Sequence, residues 1–137
     1  MEEHGGKFGL GKPNAPFGMH FTGQSYMKTL SDDNATLAIW NITYEPACRS
    51  EWHVHTSDKG GGQVIICVDG NGWYQEEGKT AKALKEGDVI EIPPGVNHWH
   101  GATADSWFSH VTFEIPGENC GIEWKGFVTD EQYDLLK

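Results

Sequence analysis

His53 and His55, Gln63, and then His98 and His100 are the residues of this chain whose types and spacing could do chemistry. Residues i and i+2 of a strand point to one face, so His-x-His on a strand aims two imidazoles at one point. Such a pair chelates a transition ion. One pair arises on many surfaces by chance, but two pairs flanking a Gly-rich stretch do so far less often. Gln63 lies in phase with Ile65 and Cys67, and turning it inward puts an amide oxygen beside the first two imidazoles. Neutral donors leave a divalent ion its full charge, which favours Lewis-acid work or anion binding. Pro93, Pro94 and Gly95 make a tight turn that delivers His98 and His100 to the mouth of the next strand. Only one of them needs to ligate; His98, nearer the turn, is assigned to the metal, and His100 to a supporting or substrate-facing role. The donors His53, His55, Gln63 and His98 suit Mn, Fe, Co, Ni or Zn. With no cysteine among them they disfavour a structural zinc and leave positions open for water or substrate.

His110 shares a strand face with Phe108 and Thr112, and an imidazole on an apolar wall is kept neutral by desolvation and available as a base. Each assignment has a plainer alternative: Gln63 as a loop-end amide bonded to backbone, His100 as a rim histidine, His110 as a satisfied core histidine. His4 and His20 are assigned nothing.

Short strands must position these groups. In "ATLAIWNITY", Leu37, Ile39 and Asn41 fall on one face and Trp40, Ile42 and Tyr44 on the other. "SEWHVH", "QVIICV", "WYQEEG", "KEGDVIEI" and "DSWFSHVTFEI" follow at hairpin spacing, with "DGNG" read as a turn between the second and third. Strand phase suggests a pocket wall of Ile39, Ile65, Cys67, Phe108 and an aromatic such as Trp99 or Trp107. The last residues form a short helix capped by Thr129 or Asp130. There is no βαβ spacing and no long amphipathic helix, so the expected fold is a small β-barrel or jelly roll. Residues 1–18, rich in Gly, Pro and charge, are expected to be a mobile or draped arm, with one domain over 19–137.

The chain has 137 residues, 37% of them hydrophobic, with six Trp and six Phe, which is enough apolar mass for one core without staples. A net charge of -10 without a basic stripe makes nucleic acid an unlikely partner. Cys48, Cys67 and Cys120 are an odd, widely spaced set that fits reduced cytosolic thiols. No run approaches a membrane span, and the acidic start lacks the basic region of a signal peptide, so the expected location is the cytoplasm.

On these residues the sequence resembles the cupin superfamily. Gly87, Pro93, Gly95 and His98 fall at the spacing of its second motif, with Ala102 where an asparagine stands in the family. In the first motif His53, His55 and Gly70 match, Ala47 replaces the opening glycine and Gln63 the glutamate, and "TSDKGGG" lengthens the loop before Gln63. The resemblance, over roughly residues 20–135, extends to small bacterial cupins related to those found alongside carboxymuconolactone decarboxylases, a group that includes manganese-dependent hydroxynitrile lyases. It implies an all-β cupin-type jelly-roll β-barrel with a short C-terminal helix. It also implies one divalent metal per subunit, manganese first, on His53, His55, Gln63 and His98, with His100 and His110 moving protons. Lyase chemistry on a small hydroxy or carbonyl compound is the reading this favours. An iron dioxygenase, isomerase-type sugar or keto-acid chemistry, and a non-catalytic binding cupin are the alternatives. A homodimer or homotetramer is expected.

Overall fold

The computed structural model describes residues 4–136; residues 1–3, the start of the expected N-terminal arm, lie outside the described residues. Its principal strands are β1 (Ser25–Thr29), β2 (Trp40–Tyr44), β3 (Trp52–Thr56), β4 (Gln63–Glu76), β5 (Lys82–Lys85), β6 (Val89–Ile92), β7 (His98–Ala102), β8 (Phe108–Glu114) and β9 (Gly121–Gly126). Every pairing among them is antiparallel. One layer runs β1–β2–β8–β4–β6, the other β9–β3–β7–β4–β5. The two layers form an all-β curled sheet closed into a jelly-roll half-barrel.

β4 belongs to both layers, and here the structure departs from the sequence reading. "DGNG" is not a turn: the strand runs through it, pairing with β8 as far as Gly70 and with β5 from Asn71 onward. Gly70 takes φ 72°, and a Cβ there would overlap the Trp107 carbonyl, so only glycine lets the strand bend across the barrel edge. A turn signal inside one long strand marks the place where it changes sheets.

Alternation on β2, β4, β6 and β8 fills the space between layers with Ile42, Tyr44, Ile65, Cys67, Ile92 and Phe108. Each fully buried Ile or Phe of that core contributes roughly 1.5–3 kcal/mol relative to exposure. A smaller cluster of Trp99, Val128 and Tyr133 lies elsewhere, with Trp52 and Trp73 packed on it. The helix α1 (Asp130–Asp134) supplies Tyr133 and begins at Thr129, whose hydroxyl accepts from the Gln132 N–H in a capping box. Residues 4–18 lie on this chain's own sheet. Asn41 Nδ2 donates to the carbonyls of Gly5 and Gly9, Lys12 and Pro13 pair with Met27 and Tyr26, and His4 stacks on Trp107. Among the described residues no helix is long and apolar enough to cross a membrane.

Candidate metal centre

β3 carries the first two imidazoles. His53 and His55 are buried while Trp52, Val54 and Thr56 are half-buried, as the period of a strand requires. β7 pairs beside β3 with His98 directly opposite His53, and these two rings lie 4.2 Å apart between centroids. One ring nitrogen from each of His53, His55 and His98 lies within 4.8 Å of the others.

Hydrogen-bond partners sort the nitrogens. His53 Nδ1 donates to the Glu51 carbonyl at 2.8 Å and His98 Nδ1 to the Val96 carbonyl at 3.0 Å. A carbonyl only accepts, so both rings carry their proton on Nδ1 and the lone pair on Nε2. His98 Nε2 is buried with no partner among the described residues. A buried orphan of this kind costs on the order of 1–3 kcal/mol, and a cation at that lone pair removes the cost.

Gln63 is oriented by the same logic. Thr112 Oγ1 donates to the Val64 carbonyl at 2.9 Å, and therefore accepts from Gln63 Nε2 at 2.6 Å. The other end of the amide, Oε1, is thereby turned to His55 Nε2 at 2.7 Å. In this arrangement His55 Nε2 donates its proton to the amide oxygen. Its Nδ1 is buried without a hydrogen bond, and Glu114 Oε1 stands 3.6 Å away, too far for one. If Nε2 gives its lone pair to an ion, the proton moves to Nδ1, where that carboxylate faces it. Three imidazoles and an oriented amide oxygen therefore suit a divalent transition ion.

Burial, with His98 adding to it, holds His53 well below the ordinary imidazole value, and burial lowers His98 to about 4. Neutral rings at pH 7 offer lone pairs without proton competition.

Beside these donors lies a second group, centred on a residue the sequence reading missed. The Tyr44 hydroxyl is 2.7 Å from His100 Nδ1 and 2.7 Å from His110 Nε2. The phenol holds one proton, so it donates to one imidazole and accepts from the other. Burial raises the Tyr44 hydroxyl well above its ordinary value, drives His100 well below and lowers His110 to about 3, so all three are neutral at pH 7. His100 Nε2 and His110 Nδ1 are buried without partners among the described residues. The signal for Tyr44 was its strand phase: Ile42 faces His110 across the β2–β8 ladder, and Tyr44 faces Phe108 two residues on.

His20, assigned nothing, sits against the site. Its Nδ1 meets Glu51 Oε2 at 2.6 Å, and its ring stacks on Trp124 at 3.8 Å; Trp124 in turn packs on His53. The pocket wall also differs from expectation. Trp40, Ile42, Met27, Phe17, Phe21 and Trp124 line it. Ile39 lies on the opposite strand phase, Trp99 is in the small cluster by α1, and Trp107 stacks on His4. Ile65, Cys67 and Phe108 belong to the core rather than to the lining. The pocket is half-open to solvent, with a volume of about 90 Å³.

Residues 40–109 match the family of cupin domains. Over 115 residues the chain is 36% identical to an (R)-mandelonitrile lyase of Granulicella tundricola, covering 82% of this chain and 85% of that one. A solved cupin-like protein of Thermotoga maritima is 38% identical, with a TM-score of 0.75, over 100% of this chain and 96% of that one. A cupin-2 domain protein of Rhodospirillum rubrum shares the fold at 17% identity and a TM-score of 0.62, over 85% and 73% of the two chains.

Proposed function

The chain belongs to the cupin family, and from that premise we propose that it is a metal-dependent lyase cleaving a small hydroxynitrile-like compound to a carbonyl compound. The observation that carries this is the convergence of three buried imidazoles and the Gln63 amide oxygen on one space, beside a hydrogen-bonded His100–Tyr44–His110 chain. The similarity to a mandelonitrile lyase supports the reaction class.

His53, His55, Gln63 and His98 would hold the ion, with manganese the first choice. When bound, it supplies Lewis-acid charge for a substrate oxygen. In the cleavage of a cyanohydrin the hydroxyl loses its proton and its O–H electron pair becomes the carbonyl bond. The C–CN bond breaks, cyanide leaves with the electron pair of that C–CN bond, and it takes up a proton. No proton is consumed overall, so the site needs groups that accept one and give one back. His110 is the base and His100 positions the leaving group. Tyr44 joins them, so that a proton taken by one imidazole passes through the phenol to the other. The fully buried tyrosine gives its proton to one ring as it takes one from the other, so it acts as a neutral bridge. The Glu51–His20 pair and Trp124 brace the His53 side of the pocket.

The test is release of cyanide from acetone cyanohydrin and mandelonitrile by manganese-loaded and chelated protein. Cleavage should need the metal, and His110→Ala should lower turnover about 10²–10⁴-fold with metal content unchanged. Oxygen uptake by the iron-loaded protein without cyanohydrin cleavage would instead favour a dioxygenase. Ligand binding without turnover, insensitive to His110→Ala, would favour a non-catalytic binding cupin.

A further inference from the structure

We infer that residues Asn14–His20 form a strap across the mouth of the pocket, and that Phe17, at its middle, gates passage between solvent and the histidines on the pocket floor. Exposure locates the mouth. Of the described residues lining the pocket two are exposed: Phe17, at 36%, and Glu114, whose side chain is 48% exposed. These two stand at the rim, whereas Tyr44, His100 and His110, none more than 4% exposed, make the floor. Whatever reaction the pocket performs, entry then depends on which rim residue moves. Glu114 is held in the barrel as the last residue of β8, paired with Gln63 of β4. Phe17 lies in a turn outside every sheet.

The strap is fastened at its ends and loose between them. At one end the Asn14 N–H donates to the Ser25 carbonyl at 3.0 Å, and Asn14 Nδ2 to Ser25 Oγ at 3.2 Å. At the other the Glu51 N–H donates to the His20 carbonyl at 2.8 Å, His20 Nδ1 meets Glu51 Oε2, and Phe21 and Thr22 pair with Ser50 and Arg49. Between these anchors, among the described residues, the hydrogen bonds stay within the segment. The Ala15 N–H donates to the Pro13 carbonyl, the Phe17 N–H to Asn14 Oδ1 and the His20 N–H to the Phe17 carbonyl. No side chain from Ala15 to Met19 makes a strong hydrogen bond, and Ala15, Pro16 and Met19 are exposed. The ring of Phe17 is what holds the middle of the strap against the pocket. A segment with so few buried apolar contacts and no hydrogen bond to the barrel opens at low cost, its two fixed ends serving as hinges.

The experiment uses the full chain and two readouts. The first is the initial rate at which diethyl pyrocarbonate modifies His100 and His110 in the metal-free protein, mapped residue by residue by mass spectrometry, with His4, outside the pocket, as reference. The second is zinc: its rate of uptake, its rate of release to a chelator and its equilibrium affinity. A gate is an obstacle in both directions, so loosening it speeds uptake and release by one factor and leaves affinity unchanged. Phe17→Ala removes a phenyl group most of whose surface is covered. It should raise modification of His100 and His110 about tenfold, leave His4 unchanged, and raise both zinc rates alike at constant affinity. Met19→Ala, at a side chain 72% exposed on the same strap, should match the parent in every readout. Phe17→Leu makes the same test, with a smaller rise, if the alanine variant does not fold. Floor histidines modified no faster in the Phe17 variants, His4 accelerated along with them, or zinc release raised alone at lower affinity overturns the inference. If the chain takes up no zinc, the metal-dependent reading fails and the modification rates decide the gate by themselves.

Discussion

Tyr44 has a single hydroxyl proton and two imidazole neighbours, each at 2.7 Å. Removing that oxygen leaves both rings buried with an unpaired nitrogen, while the ring that packs against Phe108 stays. Tyr44→Phe should therefore fold and keep its metal, yet lose turnover by about 10–100-fold, which steady-state kinetics beside metal analysis will check. A flat response would remove the phenol from the mechanism. Glu114 makes a different demand. His55 can give Nε2 to an ion only by carrying its proton on Nδ1, and that nitrogen has the Glu114 carboxylate 3.6 Å away. Glu114→Ala should weaken metal affinity by roughly 10–100-fold, measured by competition with a chelator, without disturbing the fold. Unchanged affinity would mean the carboxylate does not support His55.

Ala47 precedes β3, at the place where the family motif has its glycine, and its φ is 68°. A left-handed conformation costs an alanine about 1–2 kcal/mol, partly offset by the greater freedom glycine loses on folding. Ala47→Gly should raise stability by about 0.5–1 kcal/mol, seen as a thermal midpoint a few degrees higher; a lower midpoint would show that the alanine methyl packs usefully. The sequence made this departure readable because motif spacing pinned the position. It also made the pairing of imidazoles readable, since His-x-His on a strand leaves no freedom about which face the rings share. Other features depended on partners far along the chain. The bend of β4 at Gly70 reads locally as a hairpin turn, and only the approach of Trp107 shows why the strand continues. The orientation of Gln63 needs Thr112, and the role of Tyr44 needs two histidines more than fifty residues downstream. Strand phase alone does not say which face of β2 turns inward, and it is Trp40 and Ile42 rather than Ile39 that line the pocket.

At the scale of the whole molecule, the barrel keeps a cluster of imidazoles out of water, and this makes the fold sensitive to acid. His110 has its value lowered to about 3, against 6.5 for a free imidazole. Above pH 6.5 the group is neutral folded or unfolded, so it leaves stability unchanged. As the pH falls from 6.5 toward 3 only the unfolded chain takes up the proton, and stability is lost by up to about 1.4 kcal/mol per unit. The thermal midpoint should fall between pH 6.5 and 5.0, and fall less in His110→Gln; equal slopes in the two proteins would show that another group governs acid sensitivity. The same buried, proton-free lone pairs are what the account requires of a metal centre. The most direct measurement is elemental analysis of the parent, His98→Ala and His110→Ala proteins, each purified and then offered manganese, iron and zinc. The account predicts about one equivalent of a divalent transition metal in the parent and in His110→Ala, and little in His98→Ala. A folded parent that takes up none of these ions, or a His98→Ala protein that holds them as well as the parent does, would contradict it.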